Sequence, residues 1–385
     1  MRIVCVHQGY ELYGSDRSFI DSVAAMREAW PQAEIEVVLP REGPICAPLQ
    51  GSASRIVIEP LFILRRRELA KLIVTTPFRI IPALWRAARR MRMADLIYVN
   101  TMVVLDYLVM ARFFSRKTLV HVHEIPEGWK LQTFRRLLQW TRADVIFNSK
   151  TTRSAYQLPA SRAQHVVYNG IAPPARAEPS DYDGNRPLRL LMLGRISRIK
   201  GQDLLIEALS LVPKAVAQRL EVRIVGDSFQ NDASREAALH DAVLTAGLGS
   251  IVRFGTFQKD TAPLYRWADI VVVPSRLPES LGRVAIEATA YGRPPLVSRI
   301  GGLPETVEDG VTGWVVPPND ANVLARAIAT IVAEPDLWRA YGAAARLRFE
   351  STFAADGISR QFQAIVRARL GVDGDRRATT GLASV

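Results

Sequence analysis

Short apolar segments alternate with segments of helical periodicity throughout the first half of the chain. The apolar segments that fit β-strands are RIVCVH (2–7), IEVVLP (35–40), LIYVN (96–100), TLVHVHE (118–124), DVIFNS (144–149) and HVVYNG (165–170). The helical segments are 17–30, 78–93, 105–114 and 130–141. Strands that are apolar on both faces need cover on each side of their sheet, and parallel strands need helical crossovers. The pattern therefore predicts an α/β fold with a parallel sheet covered on both faces.

The second half repeats this alternation. Its apolar segments are LRLLMLG (188–194), LEVRIVG (220–226), IVRFG (251–255), DIVVVPS (269–275), PPLVS (294–298) and GWVVPP (313–318). The segment between the halves, APPARAEPSDYDGNRP (172–187), has the proline-rich, polar composition of a linker. A chain of 385 residues is also too long for one ordinary hydrophobic core. We predict two domains, 1–180 and 188–351, followed by a helix over 352–370 and a disordered tail over 371–385.

The net charge of +12 is concentrated in one segment of the first half, residues 62–92. Its basic residues are Arg65, Arg66, Arg67, Lys71, Arg79, Arg86, Arg89, Arg90 and Arg92, against the single acid Glu68. A helix over 78–93 is predicted to carry Ile81, Leu84, Trp85, Ala88 and Met91 on one face and Arg79, Arg86 and Arg90 opposite them. A basic amphipathic helix is typical of elements that bind an anionic membrane surface. An ordinary helix that packs its apolar face on its own domain has the same pattern, so both interpretations stay open.

Composition argues against several other classes of protein. The chain is 48% hydrophobic and 23% charged, as globular proteins are, and no apolar run is long enough to span a bilayer. We expect the first residues, MRIVCVHQG, to form a strand and not a signal peptide. The two cysteines, Cys5 and Cys46, have no disulfide or metal-ligand spacing, so we expect a reduced, cytoplasmic protein. No nucleic-acid-binding motif accompanies the positive charge, and no nucleic-acid partner is expected.

The most informative chemical pattern is ESLGRVAIEA (279–288), which follows the apolar strand IVVVPS. Glu279 lies in the loop after that strand, and Glu287 lies on the helix that the loop opens. The amides of Ser280, Leu281 and Gly282 are then unpaired and available to an anion. Carboxylates at both ends with amides between them suit a ligand with hydroxyls at its ends and phosphates in its middle, as in a nucleotide sugar. The alternative is a solvated helix glutamate and an acid favoured by the helix dipole.

Two further segments flank this pattern and support the functional interpretation. Upstream, GRISRIKG (194–201) follows a strand and supplies Arg195 and Lys200, residue types that commonly bind phosphate. Downstream, GGLPETVEDGVTGWVVPPND (301–320) begins with a Gly-Gly turn, where the backbone can approach a ligand closely.

These segments resemble the family 4 retaining glycosyltransferases. The matching stretches are GRISRIKG (194–201), VGD (225–227), FGTF (254–257), ADIVVVPSRLPESLGRVAIEATAYGRPPLVS (268–298) and GGLPETVEDGVTGWVVPPND (301–320), with HVHE (121–124), FNSK (147–150) and VYNGI (167–171) as looser matches. The resemblance implies the GT-B fold, in which two Rossmann-like doubly wound domains face a central cleft. It also implies that the N-terminal domain binds the acceptor, that the C-terminal domain binds the nucleotide sugar, and that the last helix crosses back to the N-terminal domain.

The resemblance also implies roles for single residues. Arg195 and Lys200, helped by the amides around residue 281, stabilise the charge that develops on the leaving diphosphate. Glu279 holds the hydroxyls of the transferred sugar beneath its developing positive ring, and Glu287 holds the ribose hydroxyls. The backbone of Phe257 meets the nucleotide base.

In the first half, the resemblance points to His123 and Gly14. His123 matches the family's active-site histidine, and His121, on the same face of the strand, is its competitor. The amide of Gly14 is expected near the diphosphate, although Ser15 replaces a second glycine that many members carry, which puts this approach in doubt. The other histidines, His7, His165 and His240, are expected to be structural or exposed.

The pattern contains no DxD-like pair of acids near a strand end, so no protein-bound metal is expected, although a divalent ion can accompany the diphosphate. No cofactor is expected beyond the donor, a UDP- or GDP-sugar. The leading hypothesis is a cytoplasmic glycosyltransferase, peripheral to the inner membrane face, that extends a lipid-linked or polysaccharide-precursor acceptor. The alternatives are a transferase for a soluble small-molecule acceptor and a non-catalytic nucleotide-sugar-binding subunit. A nicotinamide oxidoreductase is disfavoured because neither half has G-x-G-x-x-G after its first strand.

Overall fold

The structure is a computed structural model that describes residues 1–12, 14–63, 69–178, 180–228 and 233–371, with the backbone alone for 69–79 and 233. The chain divides into two units. The first is Met1–Gly170 together with the segment that begins at Asp356, and the second is Ile171–Ala355. The segment 171–187, which the sequence marks as a linker, therefore lies in the second unit. The predicted tail, apart from Gly371, lies outside the described residues.

The described part of the first unit contains a sheet of seven parallel strands in the order β3-β2-β1-β4-β5-β6-β7. The strands are β1 (Arg2–His7), β2 (Glu34–Leu39), β3 (Arg55–Ile58), β4 (Leu96–Asn100), β5 (Thr118–Val122), β6 (Asp144–Phe147) and β7 (Gln164–Val166). The chain builds outward from β1 in one direction and then crosses to β4 to build in the other. The carboxyl ends of β1 and β4 therefore form the switch point of this sheet, where ligands of doubly wound folds bind.

Helices cover both faces of this sheet. The helices of the first unit are α1 (Gly14–Ala29), α2 (Cys46–Leu49), α3 (Leu69–Met93), α4 (Leu105–Ala111), α5 (Trp129–Thr141), α6 (Lys150–Tyr156) and α16 (Ala355–Leu370). Successive residues of β1 belong to different cores on the two faces of the sheet. Val4 packs in a core with α3, α4 and α5, whereas Ile3 packs in a core with α1 and α16. As the resemblance implied, α16 packs on the first unit, because Phe362 joins that core and Gln363 donates a 3.0 Å hydrogen bond to the Ala25 carbonyl.

The face that α3 turns toward its sheet is not the apolar face that one of the two interpretations would pack there. Ile81 and Trp85 are 67% and 62% exposed, although they were predicted to share an apolar face with Met91, which is buried. Among residues 80–93, whose side chains are described, the other buried positions are Ala83 and Ala87. Small alanines let the helix backbone approach the sheet closely, and the bulky residues then point outward.

Arg86 and Arg90, which were predicted to lie opposite the apolar face, bind groups of the first unit. Arg90 donates to Glu36 at 2.5 Å and to Glu59 at 2.6 Å, and Arg86 donates to the Pro60 carbonyl at 3.0 Å. These arginines bind groups near the sheet and not a solvated surface. The side chains of Lys71 and Arg79, and all of residues 64–68, lie outside the described residues.

The second unit repeats the architecture of the first. Its described residues form a sheet of six parallel strands in the order β10-β9-β8-β11-β12-β13. The strands are β8 (Leu188–Leu193), β9 (Leu220–Val225), β10 (Val252–Gly255), β11 (Ile270–Val273), β12 (Pro295–Ser298) and β13 (Trp314–Val316). Here the switch point lies at the carboxyl ends of β8 and β11, by the same reasoning.

Two cores enclose the second sheet. The helices of this unit are α7 (Gln202–Leu211), α8 (Lys214–Ala217), α9 (Ala233–Thr245), α10 (Ala262–Trp267), α11 (Arg283–Ala290), α12 (Leu303–Thr306), α13 (Ala321–Ala333), α14 (Pro335–Trp338) and α15 (Tyr341–Thr352). One core packs Leu190 of β8 against α7, α9 and α13, and the other packs Leu191 against α10, α11 and α12. The predicted α/β class with two doubly wound parallel sheets is confirmed. None of the helices in the described part of the chain is long and apolar enough to span a membrane.

Candidate functional site

An ion pair joins the two loops that leave the switch point of the second sheet. Lys200 lies in the loop after β8, and Glu279 lies in the loop after β11. The Lys200 Nζ atom is 2.8 Å from Glu279 Oε2, and the two side chains are 23% and 13% exposed. The other carboxylate oxygen of Glu279 accepts a hydrogen bond from the Ser275 hydroxyl. The sequence therefore brings a cation and an anion together at the place where a parallel sheet binds its ligand.

Glu279 carries its charge despite its burial. Burial alone raises the pKa of this carboxyl, but the charge of Lys200 and the hydrogen bonds from Lys200 and Ser275 outweigh it, so the pKa lies below its usual value. A buried carboxylate held in this way is a fixed negative charge at neutral pH.

Two glycines allow these loops to pack closely. Gly201 has a φ of +78°, and a Cβ atom there would overlap the carbonyl oxygen of Pro274, at the end of β11. Gly302 donates a 2.7 Å hydrogen bond to the Glu279 carbonyl, and a Cβ atom there would overlap the carbonyl of Ser280. The Gly-Gly turn thus packs against the backbone of the 279–282 loop, which fixes the position of Glu279.

Glu287 lies on α11 and is held by two partners. Tyr265 donates its hydroxyl to Glu287 Oε2 at 2.7 Å, and Arg283 donates Nε to Oε1 at 2.7 Å. The Tyr265 side chain is fully buried and stacks on Tyr291, with ring centroids 5.1 Å apart. Burial, and then the neighbouring Glu287 carboxylate, hold the pKa of Tyr265 well above its usual value, so the hydroxyl stays a donor. Each carboxylate oxygen of Glu287 keeps a lone pair for a ligand hydroxyl.

The remaining predicted donor-site residues of the second unit lie on three loops. Arg195 is half-buried in the loop after β8, and its carbonyl accepts a 3.0 Å hydrogen bond from the buried Gln202. Ser280 and Leu281 precede Gly282, the N-terminal cap residue of α11. Phe257 follows β10, two strands away from β8; its side chain is 64% exposed and its N–H donates to Asp227 Oδ1 at 2.8 Å.

The structure thus brings Arg195, Lys200, Glu279 and the 280–282 backbone to one switch point, with Glu287 on the adjoining helix. Phe257 follows β10, which is separated from β8 by β9 at the same edge of the sheet. Gly14 and His123 lie in the first unit, at the start of α1 and directly after β5. Within the part of the chain that the structure describes, there is no cluster of three or more His, Cys, Asp or Glu side chains that could hold a metal ion.

In the first unit, both candidate histidines are buried after or within β5. The His123 Nε2 atom is 2.8 Å from Asn100 Oδ1, and the His121 Nδ1 atom is 2.7 Å from the Tyr98 hydroxyl. The two imidazole rings are 4.0 Å apart. Burial lowers the pKa of His121 to about 3 and, with the nearby His121 and His7 rings, lowers that of His123 well below its usual value. Both rings are therefore neutral at physiological pH.

Two residues near these histidines complete the description of the first-unit candidates. Gly14 is the first residue of α1, which starts in the loop after β1. Burial raises the pKa of Glu124 to about 7, although hydrogen bonds from backbone N–H groups oppose this rise. A glutamate of this kind can exchange its proton near neutral pH, which is a property of functional carboxyls.

Sequence reasoning missed the residues that hold the two glutamates. Arg283 precedes Glu287 by one helical turn, and this i, i+4 spacing was an available signal. Ser275 ends the strand segment before Glu279 and was also adjacent to the motif. Nothing in the sequence near Tyr265 indicated its role, because α10 and α11 meet only in the folded unit.

Comparisons with known proteins give relatives for part of the sequence and for the fold. A family model described as glycosyl transferases group 1 matches residues 182–348. A D-inositol 3-phosphate glycosyltransferase of Saccharomonospora viridis is 35% identical over 153 residues, which are 38% of this chain and 35% of that protein. The enzyme of the same name from Thermobifida fusca is 33% identical over 226 residues, covering 56% of this chain and 48% of that protein. The chain thus matches half or less of the length of these relatives.

Among solved structures, HepE of Anabaena in complex with UDP has a TM-score of 0.79 and 23% identity, over 96% of this chain and 100% of that chain. Its complex with UDP-glucose has a TM-score of 0.76 and 24% identity, with the same coverage. At this identity, the likeness establishes the fold, and it confirms the predicted GT-B class. The segment 182–348 thus matches the group 1 glycosyl transferases, and the chain is consistent with the family 4 retaining members of that group.

Proposed function

We propose that this protein moves a sugar from a UDP-sugar to a hydroxyl group with retention of configuration. The observation that carries the proposal is the Lys200–Glu279 ion pair at the carboxyl ends of β8 and β11, with Glu287 on the helix that follows. The complexes of HepE with UDP and UDP-glucose support a uridine nucleotide over a guanosine nucleotide.

Lys200 binds the diphosphate of the donor in this proposal. Its ammonium group has three N–H donors, and the pair with Glu279 uses one of them. The others can reach phosphate oxygens, and Arg195 adds a planar set of donors from the same loop. Negative charge grows on the diphosphate as the glycosidic bond breaks, so both cations stabilise the transition state more than the ground state.

Glu279 binds the hydroxyls of the transferred sugar, and its negative charge stabilises the positive charge of the reacting ring. The bond between the anomeric carbon and the β-phosphate oxygen breaks, and the acceptor oxygen bonds to the same face of that carbon. The acceptor proton goes to the departing phosphate oxygen. The Lys200 ammonium, held beside Glu279, is well placed to keep that oxygen in position.

Glu287 binds the ribose hydroxyls, and its replacement tests the donor site. We expect Glu287→Gln to raise KM for the donor about tenfold while changing kcat little, because the lost hydrogen bond is present in the ground state and in the transition state. The measurement is nucleotide release and transfer across a panel of UDP-, GDP- and ADP-sugars. Glu207→Gln, an exposed glutamate of α7, is the matched control.

The panel also decides between classes of function. The wild-type protein is expected to consume one UDP-sugar faster than all other donors. Release at background level from every donor contradicts a transferase, and UDP binding without turnover supports the non-catalytic alternative.

The acceptor is proposed to be lipid-linked or a polysaccharide precursor at the inner face of the cytoplasmic membrane. The supporting observation is the outer face of α3, where Ile81, Trp85 and Met93 are 67%, 62% and 60% exposed. Exposed Arg89 and Arg92 lie among them, and the Arg89 guanidinium is 5.7 Å from the centroid of the Trp85 ring. Aromatic and apolar side chains beside arginines suit the boundary between anionic headgroups and acyl chains.

Vesicle sedimentation tests this surface. We expect Trp85→Gln combined with Arg89→Glu and Arg92→Glu to weaken binding to phosphatidylglycerol vesicles at least about tenfold, because each arginine near an anionic surface contributes about 1 kcal/mol. Leu244→Gln, at a residue 70% exposed on α9, is the control for loss of an exposed apolar group. Arg86 and Arg90 are unsuitable for charge reversal because they bind groups inside the first unit.

A soluble small-molecule acceptor is the second candidate, and the names of the inositol 3-phosphate glycosyltransferase relatives favour it. Unchanged vesicle binding by the triple variant, together with transfer to a soluble hydroxyl compound, supports this candidate and contradicts the membrane surface.

A further inference from the structure

A chain of buried hydrogen bonds lies at the switch point of the first sheet. His7 is the last residue of β1, Asn100 is the last residue of β4, and His123 directly follows β5. Asp16 lies in the first turn of α1. These four residues are at most 6% exposed. These hydrogen bonds are therefore shielded from bulk water, at the sheet edge where a ligand is expected to bind.

The contacts in this series of hydrogen bonds are short and link all four residues. Asp16 Oδ1 is 2.7 Å from His7 Nε2, and His7 Nδ1 is 2.9 Å from Asn100 Nδ2. Asn100 Oδ1 is 2.8 Å from His123 Nε2. The Asn100 amide nitrogen also points at the Ser15 carbonyl, 3.5 Å away, which fixes which side of the amide is the donor. The hydrogen bonds can then be assigned in only one direction.

The assignment begins at the Asn100 amide. Its nitrogen can only donate, so His7 Nδ1 accepts from it, and the proton of His7 is on Nε2, which faces Asp16. The Asn100 carbonyl oxygen accepts from His123, which therefore carries its proton on Nε2. A neutral His123 is left with a lone pair on Nδ1. That buried atom has no hydrogen-bond partner among the described residues, and a buried acceptor without a partner is costly until a ligand supplies a donor.

We propose that Asp16, His7 and Asn100 are positioning residues that hold His123 in the Nε2–H tautomer, so that its Nδ1 accepts a hydrogen bond from a hydroxyl of the sugar substrate. The role of the hydroxyl rests on the proposed function, whereas the tautomer does not. Burial, which keeps His123 neutral, makes the choice of tautomer decisive, because a single ring proton then determines whether Nδ1 donates or accepts.

Gly9 supports the same interpretation. A Cβ atom at this position would overlap Asp16 Oδ1 and would lie 2.7 Å from His7 Nε2. A side chain at Gly9 would therefore separate the first two members of the chain, and the glycine permits their contact.

The test is the ¹⁵N spectrum of the imidazole rings, which distinguishes a protonated from an unprotonated nitrogen. The chain has five histidines, so the rings can be assigned by replacing each in turn. In the wild-type protein, we expect His123 to be neutral with the proton on Nε2. In Asn100→Leu, we expect a mixture of the two His123 tautomers. Gln363→Leu, which removes another buried amide of the first unit, is expected to leave the His123 signals unchanged.

Activity provides a second readout. Asn100→Leu is expected to lower kcat about tenfold, with KM for the donor changed less than about twofold, because a hydrogen bond from a substrate hydroxyl to the first unit is lost. If Asn100→Leu does not fold, Asn100→Asp preserves the shape. A carboxylate there is expected to place protons on both nitrogens of His7 and to leave His123 with its proton on Nε2.

Several results would overturn the proposal: His123 protonated on Nδ1 in the wild-type protein, a single unchanged tautomer in Asn100→Leu, or a switch of His123 to Nδ1–H in Asn100→Asp. These spectra need no turnover. A wild-type protein that consumes no donor therefore contradicts the proposed function, but the tautomer of His123 can still be measured in it.

Discussion

The Glu279→Gln variant is expected to lose sugar transfer by a factor of about 10² to 10³ while it keeps its fold. Glutamine preserves the shape of the side chain and one acceptor oxygen, so the Ser275 hydroxyl still has a partner. It removes the negative charge beneath the reacting sugar. It also leaves Lys200 beside a neutral amide, so the ammonium is no longer held in place between Glu279 and the diphosphate.

Lys200→Met is expected to reduce kcat about 10- to 150-fold, because a charge-assisted hydrogen bond contributes about 1.5–3 kcal/mol. The two residues are in direct contact, 2.8 Å apart, and act on the same donor. The double variant is therefore expected to be little slower than Glu279→Gln alone. Multiplicative losses would show that the residues act independently and would contradict the ion pair as a catalytic unit.

Steady-state kinetics with the preferred UDP-sugar, together with thermal unfolding of each variant, checks these expectations. Glu207→Gln and Lys214→Ala are controls in the same unit, because Glu207 makes an exposed ion pair of 3.6 Å and Lys214 is exposed on α8. Exposed pairs contribute at most about 1 kcal/mol, so the controls should retain their activity. A Glu279→Gln variant with a normal kcat would contradict the role of Glu279 in stabilising the reacting sugar.

The sequence predicted the parts of this molecule that depend on local pattern. Apolar strands that end in glycine or a polar loop can be recognised in the sequence, and their alternation with helices predicts parallel sheets. The positions of Lys200 and Glu279 followed from the same pattern, because residues just after parallel strands must meet at one sheet edge. Their actual contact was not predicted, since it depends on which strands are neighbours.

Helix α3 shows why the rest could not be predicted from the sequence. Periodicity placed the bulky residues Ile81 and Trp85 opposite Arg86 and Arg90, but it left open whether the apolar face packs on the domain or meets a membrane. The structure buries Ala83 and Ala87 and turns the bulky residues outward. The apolar pattern indicates which side chains can be buried. It does not indicate that Glu36 and Glu59, which are distant in sequence, bind Arg90.

Tyr265 illustrates the same limit at the candidate site. Its hydroxyl holds Glu287 from another helix, and no spacing in the sequence links the two. The series of hydrogen bonds from Asp16 to His123 is similar, because it joins residues at the ends of three strands and on a helix. Each member resembles an ordinary buried polar residue until the sheet order is known.

Glu36 is expected to be the most important single charge for the stability of the first unit. It lies on β2 with a side chain that is 0% exposed, and it accepts from Arg90 at 2.5 Å, from Arg2 at 2.6 Å and from Arg55 at 2.7 Å. Arg2 and Arg55 begin the two neighbouring strands, so the carboxylate joins three strands and α3. Glu36→Gln is expected to lower the free energy of unfolding by about 3–5 kcal/mol, because three guanidinium groups lose the buried carboxylate that they share and Arg90 keeps only Glu59 as a counter-charge.

The pH dependence gives this prediction a sharper form. Burial raises the pKa of Glu36, but the hydrogen bonds from Arg55 and Arg2 and the charge of Arg90 outweigh it, so the folded pKa is below the usual value. A lowered folded pKa contributes stability that is present above the unfolded value of about 4.3 and is lost as the pH falls below it. In urea unfolding, the difference between wild type and Glu36→Gln should therefore shrink from pH 7 toward pH 3. Glu34→Gln, two residues away and 53% exposed, should change stability by less than about 1 kcal/mol at either pH. Equal effects of the two substitutions would mean that the buried carboxylate does not hold the strands together.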